Sequence, residues 1–255
     1  MALQAIKNLM KCSAAEALPA EEPFDFLKDK RRRELADAER FRNERNERVK
    51  AAAEKKRLAV FERSAIPKKY RNAEIKPLED AQREAFVAGY IFVRDFAKNC
   101  GEGLVLHGSG TMELPTDTGT GKTHLACAIG NVLLTQGKTV IYCTVLEIVT
   151  RIRSTYGNRD GLSEYDVYRQ LAEPDLLIVD EVGVQRGNDY ERMVVETITD
   201  ARIREDKPTI YCTNLSRDGL LSVVGQRVCD RMRDGRFIAM TGKSYRGSSR
   251  QRACA

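Results

Sequence analysis

Residues 118–123, Thr-Gly-Thr-Gly-Lys-Thr, decide the fold: they follow a short apolar run, Leu104–His107, and open a segment with helical patterning, Lys122–Thr135. Glycines let successive backbone N–H groups turn inward, and the N-terminus of a helix adds positive potential. A strand, a glycine-rich loop and a helix in this order therefore form a phosphate cradle. Within it, Lys122 neutralises the β- and γ-phosphates, and the Thr123 hydroxyl is placed to bind Mg²⁺.

An insertion interrupts this cradle. The pattern Gly-x₄-Gly-Lys-Thr requires a glycine at position 116, where the chain has Thr116. The pattern is restored if Gly110–Asp117 is treated as an eight-residue insertion, although its first two residues could equally belong to the loop; Gly108 and Ser109 then join Thr118. Doubling the length of a loop costs only about 0.6 kcal/mol in closure entropy. Because residues 118–123 stay contiguous, we predict that nucleotide binding is retained, with weaker affinity or lost hydrolysis as the alternative.

Two further apolar runs end in polar side chains. Leu176–Glu181 has four apolar residues followed by two carboxylates, and Thr209–Asn214 ends in a threonine and an asparagine. The carboxyl ends of parallel strands meet at one edge of a sheet. There, Asp180 can hold Mg²⁺ through water, Glu181 can orient and deprotonate an attacking water, and Asn214 can detect the γ-phosphate. The alternative for the acidic pair is an ordinary strand end with solvated carboxylates.

The rest of the chain alternates short apolar runs with helical patterns, which predicts a parallel α/β sheet. The predicted strands are Leu104–His107, Thr139–Thr144, Leu176–Val179, Thr209–Cys212 and Phe237–Met240, and the predicted helices between them are Lys122–Thr135, Leu146–Tyr156, Tyr190–Arg204 and Leu220–Arg233. Helices are also predicted at Met1–Leu18, Lys28–Arg63 and Leu78–Asn99.

Composition excludes several classes of protein. The chain has 255 residues, 42% hydrophobic and 31% charged, and no apolar run approaches the roughly 18 residues of a membrane span. Seven cysteines without a Cys-x-x-Cys pair argue against a disulfide framework and a zinc site, so we expect the reducing cytoplasm. The net charge of +6 equals the excess within residues 28–63, where 14 basic and 8 acidic side chains occur. This segment is either a solvated arm or an arm that meets a protein or nucleic acid.

Four motifs together resemble a known family. They are Gly-Thr-Gly-Lys-Thr-His-Leu-Ala from residue 119, Leu-Leu-Ile-Val-Asp-Glu-Val-Gly-Val from 176, Tyr-Cys-Thr-Asn-Leu from 211 and Gly-Gln-Arg-Val-Cys-Asp-Arg-Met-Arg from 225. Their order is that of DnaC-type replicative helicase loaders, which are AAA+ ATPases. The resemblance implies an AAA+ P-loop core with a five-stranded parallel sheet between helices and no separate lid domain. It also implies a helical helicase-binding arm at 1–63, a linker and leading helix at 64–100, and an ATPase domain at 101–255.

The same resemblance implies cofactors, partners and further site residues. Arg231, next to Arg227, resembles the arginine finger that acts on a neighbouring subunit, with an ordinary surface helix as the alternative, and Arg246 resembles the sensor 2 arginine. The cofactors are ATP and Mg²⁺. The partners are the hexameric replicative helicase, single-stranded DNA through Leu146–Gln170, and further copies of the chain side by side, with no membrane. Two alternatives stay open: an IstB-type transposase-helper ATPase, and a helicase-binding adaptor that does not hydrolyse ATP.

The complete predicted site combines these assignments. The catalytic residues are Glu181, Asp180, Arg231 and Asn214; the nucleotide-binding residues are Gly108, Ser109, Thr118, Gly119, Thr120, Gly121, Lys122, Thr123, His124 and Arg246; and the Mg²⁺ ligands are Thr123 and Asp180.

Overall fold

The computed structural model describes residues 23–77, 82–98, 101–111, 117–156, 161, 163–183, 189–232, 235–242 and 244–245. It divides into two compact units, Met1–Arg57 and Leu58–Ala255. A long helix, α1 (Pro23–Ser64), crosses this division, and the helix predicted at Met1–Leu18 lies outside the described residues. No helix in the described part of the chain combines the length and apolar character needed to cross a membrane.

The second unit alternates strands and helices, as the sequence predicts. Its elements in chain order are α2 (Arg83–Arg94), β1 (Leu104–His107), α3 (Lys122–Thr135), β2 (Val140–Thr144), α4 (Val145–Thr155), α5 (Glu164–Ala172), β3 (Leu176–Asp180), α6 (Asp189–Arg204), β4 (Thr209–Cys212), α7 (Arg217–Val224), α8 (Gln226–Met232) and β5 (Arg236–Ala239). Single 3₁₀ turns occur at Lys68–Tyr70 and Phe96–Lys98.

The five strands form one parallel sheet in the order β2-β3-β4-β1-β5. This confirms the predicted five-stranded parallel sheet. Helices cover both faces, and alternate residues of a strand serve different cores: Val105 packs with α4 to α8, whereas Leu104 and Leu106 pack with α2 and α3. Because the strands are parallel and β4 pairs with both β1 and β3, the loops that follow β1, β4 and β3 come together at one edge.

The prediction of a single helix at Leu220–Arg233 is wrong. The chain forms two helices there, α7 and α8, because Gly225 adopts a φ of 83° between them. Its N–H still donates to the carbonyl of Leu221 at 2.9 Å, the last helical bond of α7, and its positive φ then turns the chain out of the helix. The sequence analysis also missed α5, which begins at Ser163 with a capping box: the Ser163 hydroxyl accepts from the backbone N–H of Asp166, and the Asp166 carboxylate accepts from that of Ser163.

A fully buried arginine fixes the edge of the sheet opposite to the phosphate loop. Arg202, at the end of α6, donates to the Thr209 hydroxyl at 2.9 Å and to the carbonyls of Leu171, Pro174 and Pro208 at 3.0, 2.9 and 2.7 Å. Burial lowers the pKa of Arg202 to about 10, which leaves the guanidinium protonated at neutral pH. One side chain thereby connects α5, α6, the segment just before β3 and the start of β4.

Replacing this arginine by methionine should destabilise the protein. Arg202→Met keeps an unbranched chain but leaves several buried carbonyls without a donor, so we expect the free energy of unfolding in urea to fall by about 3 kcal/mol or more. Arg204→Met, on the exposed last turn of the same helix, should change it by less than about 0.5 kcal/mol. Equal effects of the two substitutions would contradict this role for Arg202.

Candidate nucleotide-binding site

A cavity of about 440 Å³ lies at the carboxyl edge of the sheet. Its walls come from the glycine-rich loop, from the ends of β3 and β4, and from segments on either side of the core. The lining residues are Lys69, Tyr70, Gly119, Thr120, Gly121, Lys122, Thr123, His124, Asp180, Glu181, Cys212, Thr213, Asn214 and Tyr245. Nine of the predicted site residues, including the whole stretch 119–124, therefore meet at one cavity.

The glycine-rich loop has the backbone geometry that a phosphate cradle needs. Gly119 and Gly121 adopt φ angles of 80° and 97°, a left-handed region that other residues rarely adopt, and α3 begins directly after Gly121. The Lys122 side chain is buried in the loop. Its ammonium donates to the carbonyl oxygen of Asp117 at 2.7 Å and to the Thr120 hydroxyl at 3.1 Å. The loop thus already gathers the positive charge that phosphates require.

The proposed metal ligands contact each other directly. The Thr123 hydroxyl donates to Asp180 Oδ2 at 2.8 Å, and the Tyr142 hydroxyl donates to the same oxygen at 2.8 Å. The other carboxylate oxygen accepts from the backbone N–H of Glu181 at 2.8 Å. Burial and the neighbouring carboxylate raise the pKa of Tyr142 well above its ordinary value, so the phenol remains a donor. Tyr142 was missed because an aromatic residue inside an apolar run predicts only packing.

Glu181 is an exposed residue that lines the cavity. Its backbone has a φ of 59°, which is unfavourable for a residue with a side chain, by an amount of order 1–3 kcal/mol. The strand ends beside it are tied together: the Thr213 hydroxyl donates to the carbonyl of Val182 at 2.8 Å, and the Val182 N–H donates to that of Cys212 at 3.0 Å. These bonds hold Glu181 and Asn214 against the same cavity.

The first glycine of the interrupted pattern has a packing role. Gly108 is buried, and its N–H donates to the carbonyls of Thr213 and Leu215, both at 3.1 Å. A Cβ at this position would lie 2.5 Å from the carbonyl oxygen of Asn214. Gly108 and the neighbouring Ser109 and Thr118 do not line the cavity. The structure thus shows close backbone packing of two loops at Gly108, and the nucleotide contact predicted for this residue stays a prediction.

The two ends of the insertion lie close together in space. Ser109, which precedes the insertion, contacts Asp117, its last residue: the Asp117 carboxylate accepts from the backbone N–H of Ser109 at 2.8 Å and from the Ser109 hydroxyl. The first inserted residue is anchored as well, because the Gly110 N–H donates to the carbonyl of Asn214 at 3.1 Å and its carbonyl accepts from the Ser216 N–H at 2.7 Å. Residues 112–116 lie outside the described part.

Five lining residues were not among the predicted site residues: Cys212 and Thr213 at the end of β4, and Lys69, Tyr70 and Tyr245 in segments outside the predicted motifs. Lys69 and Tyr70 follow α1, with the Lys69 ammonium 4.6 Å from the centre of the Tyr70 ring and that ring edge-on to His124 at 6.3 Å. Tyr245 follows β5, and its N–H donates to the carbonyl of Gly119 at 3.0 Å. No local motif marks Lys69 and Tyr70 in the sequence, because only the fold brings the segment before the core to the loop. Tyr245 directly precedes Arg246, which the resemblance to the family does mark, but it was not itself predicted to line the site.

The arginines lie elsewhere. Arg231 on α8 forms an ion pair with Asp200 on α6, and Arg227 pairs with Glu196 at 3.1 Å. Neither arginine lines the cavity, and the action of Arg231 on a neighbouring subunit stays a prediction. Arg246 lies outside the described residues.

Comparison with known proteins adds to this geometry. The family described as IstB-like ATP binding protein matches residues 104–253, from β1 through the whole core. The chain belongs to this ATP-binding family. It is 32% identical over 192 residues to the replicative helicase loader DnaC of Buchnera aphidicola (from Acyrthosiphon pisum), covering 73% of this chain and 74% of the relative. It is 40% identical over 130 residues to DnaC of Escherichia coli K12, covering 50% of this chain and 53% of the relative.

A solved structure shares the fold of the present chain. The crystal structure of a DnaC helicase loader superimposes with a TM-score of 0.58 at 23% identity, over 69% of this chain and all of that one. The DnaC relatives confirm the resemblance found in the four sequence motifs. The chain has the AAA+ fold and belongs to the family of DnaC-type helicase loaders and IstB-like ATP-binding proteins.

Loss of the loop lysine should abolish nucleotide binding. In Lys122→Ala no ammonium meets the phosphates, so we expect the Kd for a fluorescent ATP analogue with Mg²⁺ to rise by at least about 100-fold. Lys138→Ala removes a half-exposed lysine beyond the other end of the same helix and should leave the Kd unchanged. Unchanged affinity in Lys122→Ala would refute the assignment of the phosphate loop.

Proposed function

We propose that this protein is an ATP-dependent loader that binds the hexameric replicative DNA helicase and delivers it onto single-stranded DNA during replication initiation or restart. The observation that carries the proposal is the likeness, over nearly three quarters of the chain, to a relative named as a replicative helicase loader. The cavity adds the chemistry of an ATP-driven step, since a phosphate loop, a buried carboxylate and an exposed carboxylate meet there.

The residues at the cavity suit MgATP. Mg²⁺ prefers oxygen ligands and keeps waters and substrate phosphates around one or two protein groups. The touching hydroxyl of Thr123 and carboxylate of Asp180 form such a set, and the bound ion would neutralise charge on the phosphates. Lys122 holds the β- and γ-phosphates, Glu181 orients the attacking water and accepts its proton, and Asn214 contacts the γ-phosphate.

Turnover also requires a neighbouring copy of the chain. We assign Arg231 as the arginine that reaches the phosphates of the adjacent subunit, where such a residue raises the rate by roughly 10³–10⁵. In the single chain its charge is balanced by Asp200. In a side-by-side assembly, Arg231 therefore exchanges the carboxylate of Asp200 for the phosphates bound to the adjacent subunit.

The N-terminal arm, residues 1–63, is assigned to the helicase. Within its helix, every described side chain between residues 30 and 50 is exposed. Three of these are large and apolar, namely Leu35, Phe41 and Val49, which are 60%, 72% and 61% exposed. Apolar side chains among charged ones along a single helix suit binding to another protein.

The region from α4 to α5 is assigned to single-stranded DNA. Arg151 and Arg153 are exposed on α4, and Tyr156 follows with 58% of its surface exposed. Basic groups that follow a phosphate backbone, with an aromatic ring for base stacking, are typical of such sites. The Tyr156 hydroxyl bonds to Glu164 and Tyr190, both at 3.1 Å, which keeps the ring in place.

Binding of single-stranded DNA should weaken steeply with salt. We expect the logarithm of the association constant to fall by about 0.7 per neutralised phosphate for each tenfold rise in salt. The double substitution Arg151→Ala/Arg153→Ala should reduce this slope by about 1.4, whereas Arg94→Ala, at an exposed arginine of α2, should not. A flat salt response of the intact protein would exclude electrostatic DNA binding.

The loading function is tested with the replicative helicase of the same cell. The full chain should retain that helicase on a column with MgATP, and it should increase the amount of helicase bound to circular single-stranded DNA. Arg231→Ala should keep ATP and helicase binding but lose DNA-stimulated hydrolysis. Retention of a transposase instead would favour the IstB-type alternative, and loading without any ATP turnover would favour the adaptor.

A further inference from the structure

The carboxylate of Asp117 connects three separate segments around the phosphate loop. Oδ2 accepts from the backbone N–H of Ser109 at 2.8 Å and from the hydroxyl of the same residue. Oδ1 accepts from the backbone N–H of Gly242, after β5, at 3.2 Å. The backbone carbonyl of Asp117 accepts from the Lys122 ammonium at 2.7 Å and from the Thr120 hydroxyl at 3.1 Å.

Asp117 has an unfavourable backbone conformation, which these contacts stabilise. Its φ is 57°, a left-handed value that aspartate adopts more readily than most residues but still at some cost. Partial burial raises the pKa of Asp117, but the hydrogen bonds from Ser109 and Gly242 outweigh burial and leave the pKa below its ordinary value. The carboxylate is therefore charged at neutral pH, where charge-assisted hydrogen bonds are the strong ones.

These contacts solve the problem that the insertion creates. Residues 118–123 can cradle phosphates only if the backbone of Thr118 lies close to the backbone of Ser109, because these two residues would be directly bonded in an uninterrupted loop. The Asp117 carboxylate brings the two sides of the insertion to hydrogen-bonding distance at that place. Its carbonyl also aligns the Lys122 ammonium with the loop.

We propose that Asp117 is a positioning residue that closes the base of the insertion and so preserves the phosphate loop for nucleotide. The proposal rests on the proposed ATP-binding function. It goes beyond that function by assigning a role to a residue of the insertion, which the family pattern does not contain. Asp117 acts through Ser109, Gly242 and Lys122, and it touches no substrate.

The first test removes the carboxylate. Asp117→Ala should raise the Kd for a non-hydrolysable ATP analogue with Mg²⁺ by about tenfold, the effect of losing one strong charged hydrogen bond. Hydrogen exchange of the Gly242 amide should become faster in this variant without any nucleotide. Asp206→Ala is the matched control, because Asp206 is an exposed aspartate with a φ of 49° in the turn after α6. It should alter neither measurement.

The second test is a double-mutant cycle in the full chain. Ser109→Ala removes one donor to the carboxylate and should weaken binding of the analogue by less than Asp117→Ala does. The double variant should bind as Asp117→Ala does, because residues in direct contact give non-additive effects. Additive effects would overturn the proposed contact.

The third test is a rescue by deletion. Removing residues 110–117 joins Ser109 to Thr118 and restores the uninterrupted pattern, so this variant should bind the analogue within about threefold of the intact chain. Affinity as low as that of Asp117→Ala would overturn the proposal, as would wild-type affinity in Asp117→Ala. If the intact chain fails to bind the analogue, the proposed function itself is refuted, whereas the exchange of the Gly242 amide still reports on the role of Asp117.

Discussion

The contact between the Thr123 hydroxyl and the Asp180 carboxylate is the interaction on which the candidate site depends. Asp180 is the last residue of β3, and Thr123 lies in the helix that follows β1; these two strands are not neighbours, since β4 lies between them. The two residues meet only because all strands are parallel and end at one edge, where the first turn of α3 reaches across β4. The polar end of β4, including Asn214, is consequently placed in the middle of the site.

The strands and the polar residues at their ends can be predicted from the sequence because each is marked by a short local pattern. Buried parallel strands are continuous apolar runs, so the predicted strands agree with the observed ones to within one residue at each end. The break at Gly225 was missed because apolar residues at helical spacing continue across it, from Leu220 to Val228. The role of Tyr142 could not be predicted, since its partner Asp180 is 38 residues away and reaches it only through strand pairing.

The insertion shows how loop length and loop geometry can be separated. Closure entropy depends weakly on length, so additional residues cost little if their two ends are held together. Here one end is hydrogen-bonded beside Asn214, and Asp117 at the other end contacts both Ser109 and Gly242. Gly119 and Gly121 keep their positive φ angles and α3 begins directly after them, as the predicted phosphate loop requires.

The close approach of Gly108 to the segment after β4 has a consequence for how this gene can change over time. A point mutation there to even the smallest side chain, alanine, forces two backbones apart beneath the ligand cavity, whereas lengthening the coding sequence two codons later leaves their spacing intact. Natural variants of this protein should accordingly differ in length after codon 109 far more readily than they differ in identity at codon 108.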